Sequence, residues 1–184
     1  MKIVNTFLLK LFFLISFYLI FDNYIVENFH FFKALWLKVF GWGRLFVLEV
    51  STFLIETLHN GNVIKSRTHI MLEGSAGVFL GNPCVGIGLI YSAIALIIAY
   101  PGRLINKVLF AILGTFGILF LNAIRVVYLV VTVHHNQSTD IQNQHDFFNF
   151  IIYTFIFVLW VVWVSVEQRM NKKNKDTAPQ LMES

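Results

Sequence analysis

Three residues have side chains whose chemistry stands out from an otherwise greasy sequence. Cys84 is the single cysteine and follows Asn82 and Pro83. Those two residues suit the N-cap and first position of a helix, so the sequence predicts Cys84 in the first turn of a membrane span. Unpaired N–H groups and the helix dipole there favour a thiolate, although a free cysteine is also a common buried hydrophobe. Arg125 is the only charge between Val108 and Val133. A helix rising from Val108 reaches it after ~25 Å, near the outer edge of a ~30 Å hydrocarbon layer. An arginine inside that layer costs several kcal/mol unless it is paired or meets water, which marks it for function, whereas one at the edge can simply snorkel. Asn122 lies one turn earlier on the same helix face. His145 opens the last apolar run and is followed by Asp146. A histidine titrating near neutrality is the usual general base, but His134 and His135 share its loop.

Each of the three is weak alone. On three helices running in alternate directions they fall at one depth on one membrane face, and a thiol, a base and a fixed cation are the parts of a thiol acyl-transfer site. In such a site Cys84 attacks a carbonyl. His145, with Asp146 as its possible orienter, takes the thiol proton and later gives it to the leaving amine. Arg125, supported by Asn122, stabilises the developing oxyanion. No cofactor is called for, and one cysteine permits neither an internal disulfide nor a metal site built on several thiolates.

The elements that must carry these residues are membrane helices. Of 184 residues 57% are hydrophobic and only 13% charged, against about a quarter charged in soluble domains. The chain therefore reads as one transmembrane domain over 1–184, an all-α bundle of at least four spans. The apolar runs Cys84–Tyr100, Val108–Val133 (span 108–131) and Phe147–Val166 are each near the ~20 residues a crossing needs, and Thr6–Phe21 is a fourth. The latter resembles a signal peptide, but no small-residue cleavage pattern follows Ile20 and Phe21, so it is read as a retained anchor with Lys10 snorkelling from its end.

The net charge of +4 does not point to nucleic acid. Basic residues gather at Lys2 and Lys10, in the Pro101–Lys107 loop and in the tail 167–184, while His134–Asp146 holds two acids and neither Lys nor Arg. By the positive-inside rule the loop and tail face the cytoplasm and His134–Asp146 faces outside. Between the first two spans, 22–83 is expected to be extracytoplasmic and interfacial. Phe29–Leu58 places Lys33, Lys38, Arg44, Glu49 and Glu56 within a ~160° arc, as an amphipathic helix in the outer interface would, with a break at Gly41 and Gly43 or a re-entrant pair of crossings as variants. After an Asn60-Gly61 turn, short strands over Val63–Leu72 and Val78–Leu80 would form a small extracytoplasmic cap leading into Cys84.

The stretches NPCVGIGLIYSAIALIIAYPG around Cys84, FLNAIRVVYLV around Arg125 and QHDFFNFIIYTFIFVLWVVWV after His145 resemble the exosortase/archaeosortase family, whose pattern is Cys, N-x-x-R and His on successive membrane helices. The likeness covers about Gly81–Val166, and the size is similar to the short bacterial forms. Val85 stands where a small residue usually follows the cysteine, with Gly86 next. The resemblance implies a membrane cysteine transpeptidase or protease of the bacterial cytoplasmic (inner) membrane, with its site facing outside. Its implied partners, besides the bilayer, are exported proteins ending in a short motif, a transmembrane helix and a basic cluster. Cys84, Arg125 and His145 take the family's catalytic places. From the residues alone, two other classes stay open: a non-catalytic assembly or transport subunit, and a cysteine-dependent lipid acyltransferase.

Overall fold

The computed structural model describes residues 2–59, 62–135 and 141–177. The expected Asn60-Gly61 turn, residues 136–140 of the polar loop and the tail from 178 onward lie outside them. Helix α1 (Lys2–Ile20) runs through a π-helical turn at Phe21–Ile25 into the short α2 (Val26–Asn28). Extended backbone at Phe29 (φ −117°) then separates it from α3 (His30–His59). Strands β1 (Val63–Lys65), β2 (His69–Leu72) and β3 (Val78–Phe79) lead to a single turn, α4 (Asn82–Val85), and then to α5 (Ile87–Ala99), α6 (Leu104–His135) and α7 (Ile141–Thr177).

The chain is thus predominantly helical, and three segments are long and apolar enough to cross a bilayer: Val4–Ile25, Leu104–His135 and Phe147–Lys172. The remaining expected span, 84–100, takes a different form. Its helix is only the 13 residues Ile87–Ala99, a rise of ~20 Å against a ~30 Å layer. Gly86 is the cause. Its backbone is left-handed (φ 69°, ψ 34°), which ends α4 and starts α5 afresh. The expected Val63–Leu72 strand is divided into β1 and β2, which pair with each other, and with β3 they form an antiparallel sheet in the order β1-β2-β3, with Val63 opposite Leu72 and Ile70 opposite Val78. Ile70, Leu72 and Leu80 are buried, so one face of this small sheet is pressed onto the helices.

Helix α3 differs from expectation in being unbroken through Gly41 and Gly43. Its buried residues Phe40, Val47, Leu48, Ser51, Thr52 and Ile55 recur at helical spacing and pack on α6. That packing outweighs the ~1 kcal/mol that each interior glycine costs a helix. Lys33, Lys38, Glu49 and Glu56 stay exposed, as the charged arc requires. Glu49 accepts from Lys65 Nζ at 2.7 Å, a surface pair contributing at most about 1 kcal/mol. The main core joins α3, the sheet, Cys84 and Val85 of α4, and Leu119, Ala123, Val126 and Val130 of α6. A second core joins α5, α6 and α7 through Ala93, Ile118, Ile152 and Ile156. Helix α7 continues to Thr177, so the beginning of the polar tail is helical.

Candidate active site

Cys84 sits in the first turn of a helix opened by Asn82 and Pro83, but that helix is the single turn α4 and not the start of the span. Gly81, with extended backbone, is the residue before the helix; Asn82 already belongs to α4, and no side chain caps it. Cys84 N–H donates to Gly81 O at 3.1 Å, closing one turn. Four residues make no macrodipole of consequence, so the thiolate-favouring argument from the start of a long helix lapses. Cys84 belongs to a tight knot between the sheet and α6, 6% exposed. Its Sγ lies 3.9 Å from the carbonyl of Phe79, at the end of β3.

Two features of the sequence hold this turn against the helices. Gly43 lets α3 approach it: a Cβ there would lie 2.7 Å from Val85 Cγ1. Gly86 lets α6 approach it, and both of its properties are needed. Its positive φ disfavours ordinary side chains, and a Cβ would fall 2.6 Å from Asn122 Nδ2. Through that gap Asn122 Nδ2 donates to Val85 O at 3.4 Å. Asn122 is fully buried, and its Oδ1 has no hydrogen-bond partner among the described residues. It therefore offers an acceptor beside the cysteine turn. The sequence assigns Asn122 to the support of Arg125; its hydrogen bond runs to the residue after Cys84.

Arg125 lies one turn further along α6. At 1% exposure it is packed inside the protein, which rules out the snorkelling alternative. Its Nη1 donates to Asn149 Oδ1 on α7 at 3.4 Å. The depth of this layer follows from the other end of the helix pair, where Asn106 of α6 bonds Glu167 of α7. Nineteen residues of helix separate Asn106 from Arg125, roughly 28 Å, close to the thickness of a hydrocarbon layer.

His145 and Asp146 lie in the second turn of α7, and their side chains are outside the described residues. The backbone still carries information. His145 is four residues before Asn149 on one helix, and residues four apart share a face. The residue that receives the Arg125 guanidinium is thus one turn from His145. Asn149 is not among the residues the sequence singles out, although an amide in an uncharged membrane run is itself a signal. Ser51 escapes for the same reason: its hydroxyl donates to Ala123 O at 3.1 Å and ties α3 to α6 between Asn122 and Arg125. Beside this layer, a cleft of about 380 Å³ is lined by Gly41, Arg44, Leu45 and Arg67, on either side of Gly43 in α3 and at the β1–β2 connection.

With Asn122 and Arg125, α6 therefore links the cysteine turn on one side to α7 on the other. Among known families, the one described as Transmembrane exosortase (Exosortase_EpsH) matches residues 2–162 of the chain. No curated protein and no solved structure matches it.

Proposed function

The chain belongs to the transmembrane exosortase family, and from that premise we propose that it is a cysteine transpeptidase or peptidase that cuts C-terminal sorting signals of exported proteins at the outer face of the bacterial inner membrane. The observation that carries the reading is the double reach of α6: Asn122 to Val85, the neighbour of Cys84, and Arg125 to Asn149, one turn from His145.

The chemistry runs in two balanced halves. Cys84 Sγ forms a bond to the scissile carbonyl carbon while its proton passes to His145. The carbonyl oxygen takes the negative charge and is met by the Arg125 guanidinium, whose planar fork of donors suits it. Collapse expels the amine, which receives the proton from His145, and leaves a thioester on Cys84. Water or an amine then attacks the thioester, losing its proton to His145, and the thiol is restored. The open Oδ1 of Asn122 accepts an N–H from the substrate backbone beside the thiol. Burial of Cys84 under the sheet limits bulk water at the thioester, so that the resolving nucleophile, water or an amine, must enter the site. The substrate is an exported protein ending in a short motif, a transmembrane helix and a basic cluster. In this topology α1, the short helix α5, α6 and α7 make four crossings, with Pro101–Lys107 inside and His134–Asp146 outside.

The test is to trap the intermediate. Membranes holding the enzyme and such a substrate are treated with hydroxylamine, which converts a thioester to a hydroxamate. Wild type should release the substrate fragment as its hydroxamate, and Cys84→Ala should release none while remaining in the membrane at wild-type level. Undiminished processing by Cys84→Ala would end the enzyme reading, because the chain has no second cysteine to take over. A lipid acyl hydroxamate in place of a peptide one would move the protein to the acyltransferase class.

A further inference from the structure

Helices α1 and α5 run antiparallel and touch in two places. Towards the candidate active site, Tyr91 OH donates to Leu14 O at 2.9 Å and the rings of Tyr18 and Tyr91 stack at 4.4 Å. At the other end Phe7 meets Tyr100 edge-on at 6.2 Å. Between these contacts the helices part, leaving a groove of about 400 Å³ lined by Leu9, Lys10, Phe13, Leu14, Ile98 and Ala99. Leu9 and Phe13 are 69% and 73% exposed, so the groove opens towards the surrounding bilayer. Its lining is apolar except at one rim.

That rim is cationic. Lys10 from α1 and Lys107 from α6 both flank Ile98, Lys10 as part of the groove lining. Lys107 Nζ donates to the carbonyl of Ile98 at 3.0 Å, which caps the last turn of α5 and explains one of the two lysines. It leaves two ammonium protons available. Lys10 has no such role: among the described residues its ammonium makes no ion pair. The nearest carboxylate, Glu167, is fully buried, and both its oxygens are engaged, by Asn106 Nδ2 and by Arg103 N–H. Two like charges held together over an apolar slot call for an anion with a hydrophobic tail. Lys107 follows Asn106 at the start of α6, and Lys10, near the start of α1, can snorkel towards the same membrane edge, where lipid headgroups lie. Basic pockets between membrane helices are recognised by anionic lipids in this way.

We propose that this groove is a binding site for one anionic phospholipid, its phosphate held between Lys10 and Lys107 and one acyl chain lying along Leu9, Phe13, Leu14 and Ile98. The site lies at the opposite membrane edge from Cys84 and is independent of the acyl-transfer reading.

The experiment is native mass spectrometry of the full chain in neutral detergent, titrated with phosphatidylglycerol, with phosphatidylcholine, and with glycerol phosphate, which has the headgroup without the chains. Wild type should retain one phosphatidylglycerol in preference to phosphatidylcholine and no glycerol phosphate. Lys10→Glu should lower the occupancy by phosphatidylglycerol at least about fivefold, the effect of roughly one charge at a lipid surface, and Lys10→Arg should keep it. Lys10 is exposed, so these variants leave the packing intact. Lys38→Glu, on exposed α3 surface, serves as the charge control. A photo-crosslinking residue at Phe13 should then label lipid. Equal retention of the two phospholipids, full retention by Lys10→Glu, or a discrete protein adduct at Phe13 would overturn the proposal.

Discussion

At the basic-loop end of the α6–α7 pair, Glu167 is fully buried with both carboxylate oxygens engaged: Asn106 Nδ2 donates to one at 2.7 Å and Arg103 N–H to the other at 3.3 Å. Gly102 is pressed against the cluster so closely that a Cβ would lie 2.9 Å from both Glu167 Cδ and the Trp163 ring. At the other end, roughly 28 Å along the helix, Asn122 and Arg125 are equally buried; the bonds from Asn122 to Val85 and from Arg125 to Asn149 are each 3.4 Å long, and Asn122 Oδ1 has no partner among the described residues. A buried polar group serves stability when its partners are complete and close. It serves chemistry when capacity is held back for a substrate, and catalytic hydrogen bonds are often long until that substrate arrives. Under the proposed function the two ends divide these roles: the Glu167 end fastens the helices, and Asn122 Oδ1 at the other is left for substrate.

Substitutions at the two ends should therefore fail in different ways. The largest effect is expected at His145. His145→Ala should slow processing by about 10²–10⁴-fold, the usual contribution of general acid–base assistance, while His134→Ala and His135→Ala remain mild. Measured at matched membrane levels, a greater sensitivity of either neighbour would move the base within this loop. Arg125 comes next. Arg125→Lys should insert normally yet lose about 10²–10³ in rate, as for removal of one oxyanion donor, with Arg125→Ala no better; near wild-type turnover by the lysine variant would make Arg125 a structural anchor and erase the contrast. A smaller loss, about tenfold, is expected for Asn149→Ala, since one buried hydrogen bond of about 1.4 kcal/mol is all that it removes. If Asn149 acts by positioning Arg125, combining its substitution with Arg125→Ala should add little further loss. The smallest effect on rate is at the far end. Glu167→Gln turns an accepting oxygen into a donor facing another donor, so it should cost about 1–3 kcal/mol of stability, visible as a lower melting temperature in detergent, with the rate per folded molecule unchanged. A fall in that rate comparable to the Asn149 variant's would show that the two ends are not separable.

Much of the candidate site is legible in the sequence because membrane segments display their exceptions clearly. One charge in an apolar run of 26 residues, Val108–Val133, and one cysteine in the chain identify themselves, and the positions of His145 and Arg125 along their helices follow from counting residues. The short strands are legible in part, from apolar residues set around the Asn60-Gly61 dipeptide, Gly74 and Gly77. Three features are not, each for a physical reason. The Asn-Pro pair suggests one long helix from Cys84, but Gly86 adopts a left-handed backbone that interrupts it. Gly41 and Gly43 look like a break, but in α3 the cost of a glycine is outweighed by packing on α6 and by the close approach to Val85 that Gly43 permits. Asn149 escapes notice because a single amide in a strongly apolar segment says nothing of what it faces.

Composition and periodicity by themselves determined that the chain is a membrane protein, which residues are out of place in it, and which of them share a helix face, since all of these depend only on neighbours along the chain. Only the tertiary structure decided that Asn122 grips the carbonyl after Cys84, 37 residues earlier, and that Arg125 reaches Asn149, 24 residues later. Those pairings depend on how closely α4 and α7 approach α6. That distance is fixed by side-chain volumes across the interface, by an absent Cβ at Gly86 and by the core beneath it, and no regular spacing in the sequence encodes it.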